Sequence, residues 1–86
     1  MTHFTLYSRS YCHLCEDMLH ALLALKAEFA FEVTAVDVDA DPELVARYDE
    51  LVPVLVGSRD GRVEQLCHYF LDEKRVREFL TGVTME

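Results

Sequence analysis

The chain has 86 residues, of which 51% are hydrophobic, and its 16 acidic residues against eight Lys and Arg give a formal net charge of −8. This length allows one domain, residues 1–86, around one compact core, and the composition is that of a folded globule rather than of a linker or a disordered segment. The negative charge argues against nucleic acid or an anionic membrane surface as partner and leaves open a protein partner with a basic face. No apolar run is as long as a membrane span, and we expect the protein to be cytoplasmic and monomeric.

The first predicted strand covers residues 3–8 and leads into Cys12-His13-Leu14-Cys15. Strand-forming residues precede these cysteines, and apolar residues at helical spacing follow them. Cys12 is therefore expected at a helix N-terminus, where free amides and the helix dipole favour a thiolate. Cys15 follows one turn later, within reach of the first sulfur. Such a pair beside a strand-helix-strand pattern is a redox signature, with Cys12 as nucleophile and Cys15 as resolving thiol.

Three neighbours of the pair are candidates for tuning or binding. A protonated His13 would favour the Cys12 thiolate, although it could equally point into solvent. Arg9 could stabilise the thiolate or bind a substrate carboxylate, and the simpler alternative is a solvated arginine. Tyr11 could shield the sulfur or offer an aromatic wall to a partner, with packing as the alternative.

The segment after the cysteines is predicted to be an amphipathic helix from about Cys12 to Phe29, which covers a sheet with one face. Its apolar stripe comprises Leu14, Met18, Leu22, Leu25 and Phe29. A second strand is predicted over residues 31–38. Because a whole helix separates the first two strands, they must be parallel.

The acidic stretch over residues 37–41 has carboxylates at alternate positions, as at the start of a calcium loop. Pro42, however, occupies the position where such a loop needs Gly. Asp41 is better explained as the N-cap of a short second helix that runs from Pro42 to about Asp49.

An apolar run over residues 51–56 contains Pro53 near its start, which marks the beginning of a third strand or a sheet edge. Residues 57–61 have the composition of a turn. A fourth strand over about 62–68 is therefore predicted to return antiparallel to the third.

The last predicted helix covers residues 73–81, with Asp72 as its cap and Gly82 as its stop. Before it lies Cys67, for which one interpretation is a third redox thiol. Another is a zinc or iron–sulfur site in which Cys67 and a histidine join the cysteine pair. A free cysteine is more often a half-buried bystander, and one C-x-x-C is weak support for metal, so no metal ligand is assigned.

The predicted order βαβαββα, with three helices and a four-stranded mixed sheet, resembles the α/β thioredoxin fold in its short glutaredoxin form over about residues 3–81. The likeness is carried by the lead-in to Cys12, by Cys15, by the strand end at residues 37–39 and by Val52-Pro53. The Cys-His-Leu-Cys centre and the short hairpin at residues 59–61 resemble, more narrowly, a family of small glutaredoxin-like proteins.

The resemblance implies a thiol-disulfide oxidoreductase that reduces protein disulfides or glutathione mixed disulfides, with no bound cofactor and with glutathione as a candidate co-substrate. It also implies a cis peptide bond between Val52 and Pro53, across from Cys12, where the Val52 backbone can pair with an extended substrate or with glutathione. The substrate-binding residues implied in this way are Arg9, Tyr11, Val52 and Pro53.

Where glutaredoxins carry a Gly-Gly pair before the last helix, this chain has Leu66-Cys67-His68-Tyr69. Beyond Arg9, an acidic chain also offers anionic glutathione no long-range attraction. A non-catalytic module that holds an extended peptide beside Val52-Pro53 is the main alternative function, and a metal-binding protein is the second.

Overall fold

The computed structural model describes residues 2–81, which form three α-helices and a four-stranded mixed sheet. The strands are β1 (Thr2–Ser8), β2 (Phe31–Asp37), β3 (Val54–Arg59) and β4 (Arg62–His68), and the helices are α1 (His13–Ala24), α2 (Pro42–Tyr48) and α3 (Glu73–Thr81). The order across the sheet is β2-β1-β3-β4. Strand β1 is parallel to β2, and β3 is antiparallel to both β1 and β4.

The expected order βαβαββα is thereby confirmed. The helix stop expected at Gly82 lies outside the described residues. None of the helices within residues 2–81 is long and apolar enough to cross a bilayer.

Each face of the sheet contributes to a core of its own, because successive side chains of a strand point in opposite directions. The larger core lies between the sheet and helices α1 and α3 and includes Phe4, Leu6, Met18, Leu22, Leu55 and Val76. The smaller core, under α2, comprises Val38, Tyr48 and Val54. Val54 and Leu55 are adjacent in sequence, yet each is fully buried in a different core. Strand β3 is thus covered on both faces.

The buried face of α1 differs from the predicted stripe only at its first position. Leu14 is 36% exposed, whereas Cys15 is only 5% exposed. The buried positions are Cys15, Met18, Leu22 and Leu25. This set has helical spacing as regular as the set that begins at Leu14, and a cysteine packs as a small hydrophobic residue. The prediction for Leu14 was wrong because it did not count Cys15 as apolar.

Helix α1 is also shorter than predicted. It ends at Ala24 and continues as a 3₁₀ turn over Leu25–Ala27. The carbonyl of Leu25 accepts hydrogen bonds from the amides of Glu28 and Phe29, at 3.0 and 2.9 Å. Phe29 therefore lies beyond the helix, although its side chain still packs on the larger core.

The caps predicted for the other two helices are confirmed. The Asp41 carboxylate accepts the amide of Glu43 at 2.9 Å, with Pro42 in the first turn of α2. The Asp72 carboxylate accepts the amide of Arg75 at 3.1 Å, in the first turn of α3. Each carboxylate satisfies an amide that the helix itself leaves unpaired.

The turn between β3 and β4 is tighter than predicted. It consists of Asp60 and Gly61, with φ values of 50° and 83°, the left-handed pair that a two-residue type I′ hairpin requires. Strand β3 therefore extends through Arg59. A bulge at Leu66 interrupts the ladder, since Leu55 pairs with Cys67 but Val56 pairs with Gln65.

Candidate functional site

Four connecting segments meet at one edge of the sheet. Ser8 pairs with Asp37, Tyr7 with Val54, and Val54 with His68. The chain after β1, after β2 and after β4 therefore emerges beside the chain that enters β3. We call this edge, formed by residues 9–17, 37–41, 49–53 and 68–73, the site edge. It brings the cysteine pair and Val52-Pro53 to the same end of the sheet.

Cys12 and Cys15 form a disulfide at the start of α1, with Cα atoms 5.2 Å apart. Cys12 is the N-cap residue, and its Sγ accepts the amide hydrogen of Cys15 at 3.1 Å. Both this donor and the helix N-terminus stabilise negative charge on the sulfur. Cys12 is half-buried and Cys15 is buried, so a reactant from solvent meets the Cys12 sulfur first.

The residues around Cys12 face solvent. Tyr11 is fully exposed and has a positive φ of 59°, so its ring stands clear of the domain instead of packing. His13 and Leu14, which separate the two cysteines, are also exposed. The disulfide is thus bordered by accessible aromatic and apolar side chains.

The guanidinium of Arg9 is held by two carboxylates. It donates to Asp39 and to Asp49 at 2.6 Å each, and its Nε donates to Asp39 at 3.3 Å. The hydrogen bonds to Asp39 and Asp49 hold the pKa of Arg9 above its ordinary value, and the hydrogen bond from Arg9 holds the pKa of Asp39 below its own. Arg9 therefore joins the segment after β1 to those after β2 and α2. Sequence reasoning missed these partners because they lie 30 and 40 residues away along the chain.

The peptide bond between Val52 and Pro53 is cis, as the resemblance implied, and Pro53 is buried. The amide of Val52 donates to the carbonyl of Tyr48 at 3.1 Å. The Val52 amide is therefore already hydrogen-bonded within the domain.

Tyr69 occupies the segment where glutaredoxins carry Gly-Gly, and it adopts a positive φ of 65°. Its amide donates to the carbonyl of Pro53 at 2.9 Å, and its hydroxyl donates to the carbonyl of Glu50 at 2.7 Å. Tyr69 thereby links the segment after β4 to the segment before β3 through two hydrogen bonds. Sequence reasoning assigned it no role, because no local signal reveals a contact across the sheet edge.

Cys67 is half-buried against the core under α1 and α3, and this burial raises the pKa of its thiol. Among residues 2–81, no three Cys, His, Asp or Glu side chains are grouped so that they could hold a metal ion. The structure therefore does not bring Cys67 and a histidine to the Cys12–Cys15 pair.

Comparisons with known proteins agree with this geometry. The family model of the glutaredoxin-like domain (DUF836) matches residues 3–81. A Nitrosomonas europaea protein solved by NMR is 34% identical, with a TM-score of 0.81 over 92% of this chain and 91% of that one. An X. campestris protein solved by X-ray diffraction is also 34% identical, with a TM-score of 0.63 over 94% and 99% of the two chains.

Fasciola hepatica thioredoxin is 24% identical, with a TM-score of 0.68 over 96% of this chain and 81% of that one. This likeness shows that the fold is of the thioredoxin type. No curated protein matches the sequence.

Proposed function

The chain belongs to the glutaredoxin-like domain family, and from this membership and its cysteine geometry we propose that it is a thiol-disulfide oxidoreductase that reduces protein disulfides or glutathione mixed disulfides. One observation carries the proposal. Cys12 is half-buried at the start of α1 with an amide donor on its sulfur, and the buried Cys15 lies at disulfide-bonding distance. This asymmetry suits an attacking thiol backed by a resolving thiol.

The reaction would begin with the reduced pair. The Cys12 thiolate attacks one sulfur of the substrate disulfide, and as the new bond forms the substrate S–S bond breaks. The second substrate sulfur leaves as a thiolate and takes up a proton. Cys15, having lost its proton, then attacks the Cys12 sulfur, releases the remaining substrate thiol and closes the Cys12–Cys15 disulfide. The substrate gains the two electrons that the pair loses.

A thiol reductant, either glutathione or the dithiol of a flavoprotein-dependent reductase, would return two electrons to the protein. Such reductants are maintained in the cytoplasm, which is the proposed location.

The other predicted site residues would have supporting roles in the proposed reaction. Tyr11 and the carbonyl of Val52 would contact the substrate beside the reacting sulfurs, and Pro53 would hold that carbonyl in place. His13, exposed next to Cys12, would favour the thiolate when protonated. Arg9 would act through Asp39 and Asp49, by fixing the segments of the site edge.

A trapping experiment tests the proposal. Each variant is reduced and incubated with a disulfide-bonded peptide, and the adducts are located by peptide mass. We expect Cys15→Ser to accumulate a mixed disulfide on Cys12, because no resolving thiol remains, and Cys12→Ser to accumulate none. Cys67→Ser is the matched control and should turn over like the unmodified protein.

Adducts on Cys67, or no adduct in any variant, would contradict the proposed oxidoreductase function. If Cys12→Ser also binds peptide as tightly as the unmodified protein, the non-catalytic peptide-binding module becomes the better account.

A further inference from the structure

The negative charge of the chain is concentrated at the site edge. Its four segments contain nine of the 16 acidic residues but only one of the eight Lys and Arg residues, so the rest of the chain has seven of each. That single cation, Arg9, is shared between Asp39 and Asp49. One further carboxylate, Glu73, binds Arg77 of α3 at 2.9 Å. The remaining carboxylates leave a negative field around the cysteine pair.

The exposed apolar side chains gather at the same place. Six large hydrophobic side chains are exposed within residues 2–81, and the four at the site edge are Tyr11, Leu14, Tyr69 and Phe70. Phe70 borders an open depression of about 580 Å³ that is also lined by His68 and Asp72. Exposed apolar side chains set among charged residues are typical of a surface that binds another protein.

We propose that this surface selects protein disulfides whose cysteines are flanked by an apolar residue and by Lys or Arg. The inference rests on the proposed oxidoreductase function and names its substrate class. The apolar residue of the substrate would contact exposed apolar side chains of the site edge such as Tyr11 or Phe70. Its basic residues would meet the carboxylates of the site edge. The negative field of these carboxylates would steer a cationic segment towards Cys12 and repel an anionic one.

The same features disfavour glutathione, which carries a net negative charge. A glutathione carboxylate that approached Arg9 would have to displace Asp39 or Asp49, each held at 2.6 Å. The hydrogen bonds of Tyr69 to the carbonyls of Pro53 and Glu50 also place a large side chain beside the segment that enters β3. Charge and shape at the site edge therefore both favour a basic protein segment.

The test compares three disulfides as substrates of the pre-reduced protein. Two are peptides of equal length that share one apolar residue beside the cysteine and differ only in having Lys or Glu flanks, and the third is glutathione disulfide. Each rate constant is divided by that of dithiothreitol with the same substrate, which removes the intrinsic reactivity of the disulfide. We expect the Lys peptide to react about tenfold faster or more than the other two at low ionic strength. Because salt screens exposed charges, this advantage should shrink at about 0.5 M NaCl.

A matched pair of double variants locates the effect. Asp17→Lys with Glu50→Lys reverses two charges at the site edge. Glu32→Lys with Glu78→Lys makes the same change in net charge away from that edge. Only the first pair should lower the preference for the Lys peptide.

The substrate preference would be overturned by equal normalised rates for the two peptides, or by a faster reaction with the Glu peptide or with glutathione disulfide. Either result would still be consistent with the proposed oxidoreductase function. An equal loss of preference in both double variants would also overturn the substrate preference. If none of the three disulfides were reduced, the proposed oxidoreductase function would be wrong, and so would the substrate preference that rests on it.

Discussion

The thiols of this chain differ in their surroundings, and the difference separates a reactive cysteine from an inert one. Cys12 caps a helix and accepts an amide hydrogen, whereas Cys67 is half-buried against the larger core. A capping sulfur is stabilised as the thiolate, and an apolar environment favours the neutral thiol. Cys12 should therefore react in disulfide exchange more readily than Cys67.

We expect iodoacetamide to alkylate Cys12 of the reduced protein at lower pH than Cys67. Burial raises the pKa of the Cys67 thiol above its ordinary value of 9.0. Its reactive thiolate therefore becomes abundant only at higher pH than that of a free cysteine. Timed alkylation from about pH 5 to about pH 10, followed by peptide mass analysis, gives both rates. Faster labelling of Cys67 at neutral pH would show that burial does not suppress it.

The ion pair between Arg9 and Asp39 should contribute to stability in a pH-dependent way. The hydrogen bond from Arg9 holds the pKa of Asp39 below its ordinary 3.8. Ionised Asp39 therefore stabilises the folded state above that pH, and the contribution is lost as the pH falls through the lowered pKa. We expect Asp39→Asn to unfold at lower urea concentration at pH 7, by a modest amount because the pair is exposed, and to match the unmodified protein in acid.

The Arg9→Gln background is the control for that comparison. Without the guanidinium, Asp39→Asn should have little further effect on the urea midpoint, because the partner is already gone. A difference that persisted in acid, or in this background, would assign the role of Asp39 to something other than its charge.

At the scale of elements, two glycines of the β3–β4 hairpin are needed for different reasons. A Cβ at Gly57 would lie 2.6 Å from the ring of Phe79, where α3 packs closely on the sheet. A Cβ at Gly61 would meet nothing within 4 Å, but the residue has a φ of 83°. Gly57 provides space and Gly61 provides a left-handed backbone.

We expect Gly57→Ala to destabilise the protein by about 1–3 kcal/mol through overpacking, and Gly61→Ala by about 1–2 kcal/mol through backbone strain. Phe79→Leu should reduce the cost of Gly57→Ala and leave the cost of Gly61→Ala unchanged. Free energies of unfolding from urea titrations of the two double-variant cycles give the coupling directly. Equal coupling in both cycles would contradict the assigned mechanisms.

The helices and strands could be largely predicted from the sequence because local rules govern them. The caps at Asp41 and Asp72 follow from side-chain chemistry, and the range of β4 follows from the turn that precedes it. The buried face of α1 was predicted correctly at Met18, Leu22 and Leu25. Only its first position was wrong, because Cys15 and Leu14 fit equally regular apolar stripes. The length of β3 was missed because Gly57 suggests a turn, although its reason is the contact with Phe79.

At the scale of the whole molecule, the placement of Val52-Pro53 across from Cys12 was implied by the resemblance to the thioredoxin fold. The partners that complete the site edge could not be predicted. Arg9 meets Asp39 and Asp49, and Tyr69 meets Glu50 and Pro53, only after the sheet has assembled, and no local pattern records those contacts. The concentration of negative charge at the site edge could not be predicted either, because it depends on which segments of the chain meet there.

The most direct test of the account is a redox titration of the purified protein in glutathione buffers, with free thiols trapped by alkylation and every disulfide located by peptide mass. We expect a Cys12–Cys15 disulfide with a reproducible midpoint within about −270 to −120 mV, the range spanned by proteins of this fold, and a Cys67 that joins no disulfide at any potential. If Cys12 and Cys15 stayed reduced across the whole titration, or if the disulfide joined Cys67 instead, the redox function assigned to this pair would be contradicted.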